Sequence, residues 1–443
     1  MSAARFCFIT TFYPPFNFGG DGIGVQRLAR AIAKRGHEVT VVHDADAYNV
    51  LARGAQPDVQ PPDPYGVRVV TLRSRLPLLS TLLTQQTGHP VVNGSRLRRL
   101  LDDGDFDVIV FNNVSLIGGP GLFAYGQGTN AVKLYIAHEH WLVCPTHVLW
   151  RHGRERCDHR ECLRCQLHHH RPPQLWRHTG LLDRSLAHVD AFIAMSEFSR
   201  RKHREFGFAR EMIVLPYFVP DEDRPAAGGD DEAPQQRPYF LFVGRLEAIK
   251  GLDDVIPLFR RYPEADLLIA GDGTHGATLR ALAAGTANVR FLGRLERADL
   301  ARYYRHALAL IVPSVCYETF GVILLESFSY GTPVLARRIG PLPEIVAQSG
   351  GGELFDTPEE LLAAMRRLQC DEPARRALGE AGGNALLRFW TESAVVPRYL
   401  EVIREIAARK GLTRAGAALG AAAAPTFHTE HVTREGLRRR QRG

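Results

Sequence analysis

Short runs of Val, Ile, Leu and Phe recur along this chain without the polar alternation of a half-exposed strand. No other feature restricts the fold as much. In the first half they fall at Phe6–Thr10, Glu38–Val42, Arg68–Leu72, Asp107–Asn112, Lys133–Ala137, Ala191–Met195 and Met212–Leu215. Continuous apolar strands are buried on both faces, as in a parallel sheet covered by helices. Between the first two runs, Val25, Leu28, Ala29 and Ile32 keep helical spacing, Arg27, Arg30, Lys34 and Arg35 face mostly outward, and Gly36 stops the helix. Strand, glycine loop, helix, strand is a βαβ unit.

The polar, acidic, Pro- and Gly-rich stretch Asp221–Pro238 reads as an exposed loop at a domain junction. A second set of strands follows at Tyr239–Val243, Leu267–Ala270, Val289–Leu292, Ala309–Val312 and Pro333–Ala336, with helices such as Ala298–His306 and Gly321–Tyr330 between them. A chain of 443 residues exceeds one ordinary core and fits two domains of roughly 200 residues. The expected fold is α/β: two doubly wound Rossmann-like domains in tandem with a cleft between them. We place the first at 1–218, the second at 219–389, a helix crossing back at 390–408 and a basic, disordered tail at 409–443. Ligands of such sheets bind at the carboxyl ends of strands, so functional residues belong just after strands.

Two segments there carry chemistry. In VGRLEAIKG (243–251) Arg245 follows the strand at once and Lys250 comes five residues later. Arg offers a planar fork and Lys a point charge, both suited to a diphosphate leaving group. In PSVCYETFGVILLESFSYGTPV (313–334) Glu318 stands in the turn before a helix and Glu326 within it. Thr319, Phe320 and Gly321 offer backbone N–H groups at the helix start, where phosphate or sugar oxygens bind well. Taken singly, two surface cations or a chance Glu pair would look the same; the ordered succession of strand, Pro-Ser, Glu-Thr-Phe-Gly, helix and Gly-Thr-Pro is far more specific.

With AGDGTHG, VRFLGRL, FYPPFNFGGDGIGVQRLARAIAKRGHEVTVV, AHEHW and IAMSEFSR, these pieces make residues 5–408 resemble glycosyltransferase family 4, retaining enzymes of the GT-B architecture. The resemblance implies that Arg245 and Lys250 hold the donor diphosphate, Glu318 accepts hydrogen bonds from the transferred sugar and Glu326 from the ribose. The backbone at Phe291–Gly293 would line the base. Gly19 and Gly20 would let the backbone approach phosphates and sugar, and His138 would contact the sugar. The implied activity is transfer from a nucleotide-diphosphate sugar to a polysaccharide, lipid carrier or natural product, by front-face attack, without a catalytic divalent metal, as the domains close. Glu139, beside His138, is the carboxylate to weigh as a nucleophile. LPYFVPD departs from the family's common Pro-Asn-Gly turn. Ser196 reads as a helix cap.

After His138 comes a Cys-rich insertion (141–180) with Cys144, Cys157, Cys162 and Cys165 in Cys-x12-Cys-x4-Cys-x2-Cys spacing. Four thiolates in a long loop suit structural zinc, with His147, His152 and His159 as spare ligands; an iron–sulfur cluster or redox-paired thiols are the alternatives. We expect this loop to shape the acceptor site. Eight basic and two acidic residues lie from Arg409 onward, so the tail holds six of the seven net positive charges and the body is nearly neutral. That argues against nucleic acid and allows peripheral membrane contact through the tail. No secretory leader or membrane span is evident, and the expected address is cytoplasmic, with membrane association possible through that tail. An epimerase or phosphorylase of similar shape, and a non-catalytic zinc protein binding nucleic acid or membrane, are the competing functions.

Overall fold

The apolar runs become parallel strands in this computed structural model, which describes residues 3–52, 57, 62–225 and 232–420. In chain order the strands are β1 (Arg5–Thr10), β2 (Glu38–Asp44), β3 (Arg68–Leu72), β4 (Val108–Phe111), β5 (Val132–Ala137), β6 (Trp150–Arg151), β7 (Glu155–Arg156), β8 (Ala191–Ala194) and β9 (Met212–Val214). The second set is β10 (Tyr239–Val243), β11 (Asp266–Ala270), β12 (Val289–Gly293), β13 (Leu310–Val312), β14 (Val334–Arg337) and β15 (Gly352–Phe355). They form a seven-stranded sheet, β3-β2-β1-β4-β5-β8-β9, a six-stranded sheet, β12-β11-β10-β13-β14-β15, and the hairpin β6-β7. Each expected run is a strand, with ends displaced by at most two residues. The hairpin and β15 went unread, the latter because GELF opens with two residues poor in β-propensity.

Burial on both faces is visible residue by residue. Phe6 and Phe8 enter one core cluster while Cys7 and Ile9 enter another. In β10, Tyr239 and Leu241 join the first of these clusters and Phe240 and Phe242 a third. One apolar core thus runs continuously from the first sheet to the second.

Strand order reverses between β1 and β4, and again between β10 and β13. At such switch points the connections leave in opposite directions and open a crevice. The exits of these strands carry the site.

The chain crosses between sheets twice, side by side. Val219 N–H donates to Trp390 O (2.8 Å) and Glu392 N–H to Val219 O (3.0 Å). The helix Glu392–Arg409 returns to the first sheet, where Tyr399 Oη donates to Leu215 O. Residues 409–420 were expected to begin a loose tail; instead Lys410 pairs with Asp190 (2.7 Å), and Arg414 with Asp105 (2.6 Å) and Asp107 (3.0 Å) at the foot of the first sheet. Carboxylates near β4 and β8 take up those cations. Residues 421–443 lie outside the described residues, as do 226–231 within the acidic stretch. No helix among the described residues is long and apolar enough to cross a membrane.

Candidate active site

Gly19 and Gly20 follow β1 and begin the helix Gly20–Ala33. A Cβ on Gly19 would stand 4.0 Å from the Arg245 guanidinium carbon, and one on Gly20 would meet nothing within 4 Å. The glycine loop of the first domain therefore faces the cation that follows β10. Close approach also explains the glycines after β10 and β11. Gly271 has φ +137°, and a Cβ there would lie 1.9 Å from Gly244 O, so only glycine fits.

Lys250 Nζ is 2.8 Å from Glu318 Oε1, and Ser314 Oγ donates to the same oxygen at 2.6 Å. Burial pushes the Glu318 carboxyl up, but Lys250 and the hydrogen bonds from Lys250 and Ser314 outweigh it and leave it below its ordinary value. Burial likewise opposes the Lys250 charge, and Glu318 holds its pKa above the usual lysine range. Both groups are thus charged at neutral pH. Arg245 is half exposed and pairs with Glu247 at 2.6 Å. Gly321, at φ +125°, caps the helix Val322–Ser329, and a Cβ there would strike Leu342 at 2.8 Å. Glu326, in that helix, is held across the domains by Arg27 (3.0 Å). Phe291 ends up under the Arg280 guanidinium, 4.5 Å from its ring centre, and Gly293 O accepts from Gly271 N–H at 2.7 Å.

His138 follows β5 and is buried. The Asn112 amide nitrogen donates to Ile9 O (3.3 Å) and Val110 O (3.1 Å). Its oxygen, 2.9 Å from His138 Nε2, therefore accepts, and Nε2 carries the proton. Nδ1 is then the acceptor for Tyr217 Oη at 2.5 Å. Burial holds the ring neutral, its pKa down at about 4, with nearby Asp21 opposing the shift. Both ring nitrogens are engaged by protein groups, an arrangement that spacing alone did not foretell. Glu139 is turned away onto His147 Nδ1 (2.7 Å).

The Glu-Thr-Phe-Gly loop is wedged between strand exits of the first domain. Thr319 Oγ1 donates to His138 O (2.9 Å), Ser196 Oγ donates to Thr319 O (2.7 Å), and the Phe320 ring is 5.9 Å from that of Tyr217. Ser196 also caps its own helix, accepting from Ser199 N–H at 3.0 Å. The sequence reading missed Asn112, Tyr217, Arg27 and Ser314. Asn112 lay in plain view at the end of a predicted strand, and Tyr217 marks the departure from the Pro-Asn-Gly turn. The Asp44-Ala45-Asp46 triplet is spent on the backbone: Asp44 accepts from Asp46 N–H and Asp46 from Ser74 N–H.

The four cysteines line one cavity of about 10 Å³ with Thr146, Trp150 and Glu161. All four are free thiols. Burial raises the pKa of Cys162 and Cys165, and that of Cys157 to about 12. Among the described residues no group of three or more His, Cys, Asp or Glu stands ready to hold a metal ion, so the expected closed zinc site is not formed here. The sulfurs surround the cavity without converging on one point.

Two family descriptions cover most of the chain: "Glycosyltransferase Family 4" matches residues 18–223 and "Glycosyl transferases group 1" residues 224–385. The chain is 32% identical to D-inositol 3-phosphate glycosyltransferase of Corynebacterium kroppenstedtii over 45% of its own length and 49% of that protein's. It is 29% identical to phosphatidyl-myo-inositol mannosyltransferase of Mycobacterium tuberculosis over 48% of its length and 59% of that protein's. The chain thus spans about half the length of the curated relatives it matches. Sucrose-phosphate synthase from Thermosynechococcus elongatus superposes with a TM-score of 0.70 at 21% identity, covering 92% of this chain and 100% of that one, a likeness of fold. With both halves matched and two doubly wound sheets meeting at their switch points, the chain belongs to glycosyltransferase family 4 and has the GT-B fold.

Proposed function

We propose that this protein is a retaining glycosyltransferase that moves a sugar from a nucleotide-diphosphate donor to an acceptor hydroxyl. One observation carries the reading: Arg245 follows the strand at the switch point of the second sheet and faces the side-chain-free Gly19–Gly20 loop of the first, with Lys250 held on Glu318 in the same domain. In this reading the two cations take the charge that builds on the diphosphate as the glycosidic bond breaks. Glu318 and Glu326 receive sugar and ribose hydroxyls, with the backbone of Thr319, Phe320 and Gly321 beside the phosphates. Phe291 and Gly293 border the base. Neutral His138 shapes the sugar pocket. The leaving phosphate accepts the acceptor's proton, which keeps attack on the face the donor leaves. Glu139, paired with His147, is a poor nucleophile for a double displacement.

The test is thermal stabilisation by UDP, GDP and ADP of the wild type and of an Arg245→Ala, Lys250→Ala variant. A ligand at 100 times its dissociation constant adds roughly 2.7 kcal/mol. One nucleotide should stabilise the wild type and not the variant. Failure of all three on folded protein at millimolar concentration would end the donor-site reading and favour a binding protein.

We further propose that the four thiols take up zinc in metal-replete protein. Their spacing and their shared cavity support this, and the sulfurs must draw inward to bind. The segment they occupy lies between β5 and β8, directly after His138, which is why we assign it to the acceptor side.

A further inference from the structure

The helix Pro77–Thr87 is built inside out. Leu78 is 67% exposed, Leu79 43% and Leu82 41%, while Ser80, Thr81 and Thr84 are buried. A helix that meets only water and a core does the reverse. The buried face is satisfied by hydrogen bonds: Asn93 Nδ2 donates to Ser80 Oγ (3.3 Å) and Thr81 Oγ1 to Pro77 O (2.9 Å). The outward leucines are therefore not a packing failure.

The exposed apolar surface extends beyond the helix. Leu76 precedes it, and Val91 and Val92 follow it, all exposed. Leu175, also exposed, is tied alongside, because Gln85 Nε2 donates to Pro172 O (2.7 Å) and Trp176 Nε1 to Gln85 O (3.0 Å). Contiguous apolar surface of this kind marks a contact site. Its charge is one-sided: residues 73–98 contain Arg73, Arg75, Arg96 and Arg98, all exposed, and no Asp or Glu.

We propose that this face lies on an anionic lipid bilayer, with the helix Pro77–Thr87 in the interface plane, its leucines among acyl chains and its arginines against headgroup phosphates. A second copy is the poorer occupant, since a twofold contact through this face sets arginines against arginines. The helix follows the carboxyl end of β3, the same edge of the sheet that carries Gly19, Asn112 and His138. Its neighbour, the helix Ala45–Leu51, holds Tyr48 stacked on Phe18 at 4.7 Å, beside the glycine loop. The lipid surface therefore borders the cleft, and membrane contact belongs to the first domain rather than to the basic tail. None of this rests on the catalytic reading.

The test is co-sedimentation of the full chain with phosphatidylcholine vesicles with and without phosphatidylglycerol. Wild type should bind the phosphatidylglycerol vesicles, and Leu78→Ser, Leu79→Ser, Leu82→Ser should weaken binding by on the order of tenfold or more. These side chains leave no core, so an unchanged melting temperature certifies the fold. Arg75→Gln, Arg96→Gln should weaken binding and flatten its salt dependence. Replacing Arg434, Arg438, Arg439, Arg440 and Arg442 by Gln should leave it intact. Loss of binding in that tail variant overturns the proposal, as does unchanged binding by the leucine variant or no binding by wild type. So does a dimer that the leucine variant abolishes while wild type ignores vesicles, which would make a second copy the occupant.

Discussion

Tyr217 touches three things at once: His138, the helix Gly20–Ala33 and Phe320. A Cβ on Gly24 would lie 2.3 Å from its ring, so that glycine makes its seat. Its hydroxyl donates to Nδ1 and so favours the neutral imidazole. Removing the donor should let His138 take a proton more readily. In Tyr217→Phe the ring's titration should move up from about 4 by about one unit. Nitrogen NMR of the histidines reads this directly, and an unmoved titration would strip the hydroxyl of its role. Below the titration the charged ring loses its acceptor at Nδ1, so activity should fall on the acid side, and at higher pH in the variant than in wild type. His138, Arg245 and Glu318 were picked out because each follows a strand or precedes a helix, and Lys250 and Glu326 through the motifs around them. Tyr217 and Arg27 were not, because their partners lie across the molecule and no local spacing reports that.

Among the elements, the strands were legible from apolar runs alone, since burial on both faces erases alternation. The segment between β5 and β8 was legible only as chemistry. Its small hairpin and the short helix Cys162–His168 border the cysteine cavity. Purified metal-replete protein should hold about one zinc per chain, the number four thiolates coordinate. Cys162→Ser, Cys165→Ser should lose it and melt lower while keeping nucleotide stabilisation. Elemental analysis decides the matter: wild type without zinc closes that reading. The helix Pro77–Thr87 shows the opposite limit. The sequence reading did not single it out, and the face its leucines take depends on what packs beneath: Ser80, Thr81 and Thr84 take the inner place.

At the scale of the whole molecule, the core shared by both sheets and the double crossing at Val219 and Glu392 make one body of two domains. Glu392 is buried and pairs with Lys34 (3.0 Å) and Arg35 (2.8 Å). Glu392→Ala takes from Arg35 its carboxylate and leaves Lys34 with Glu222 alone. A fully buried pair broken this way costs roughly 3–5 kcal/mol, but Lys34 and Arg35 keep a fifth to a quarter of their exposure. The expected loss is therefore about 2 kcal/mol, measured by urea unfolding; no loss would show that the crossing does not depend on this triad. The wedge of Thr319 between His138 and Ser196, with Arg27 on Glu326, ties the two domains together across the cleft. Two neutral hydrogen bonds and one ion pair contribute about 1 kcal/mol each to that contact, beside the apolar core that both sheets share. These contacts act as a clasp, and a donor that enters by parting them binds with an apparent affinity lowered by what they cost to break.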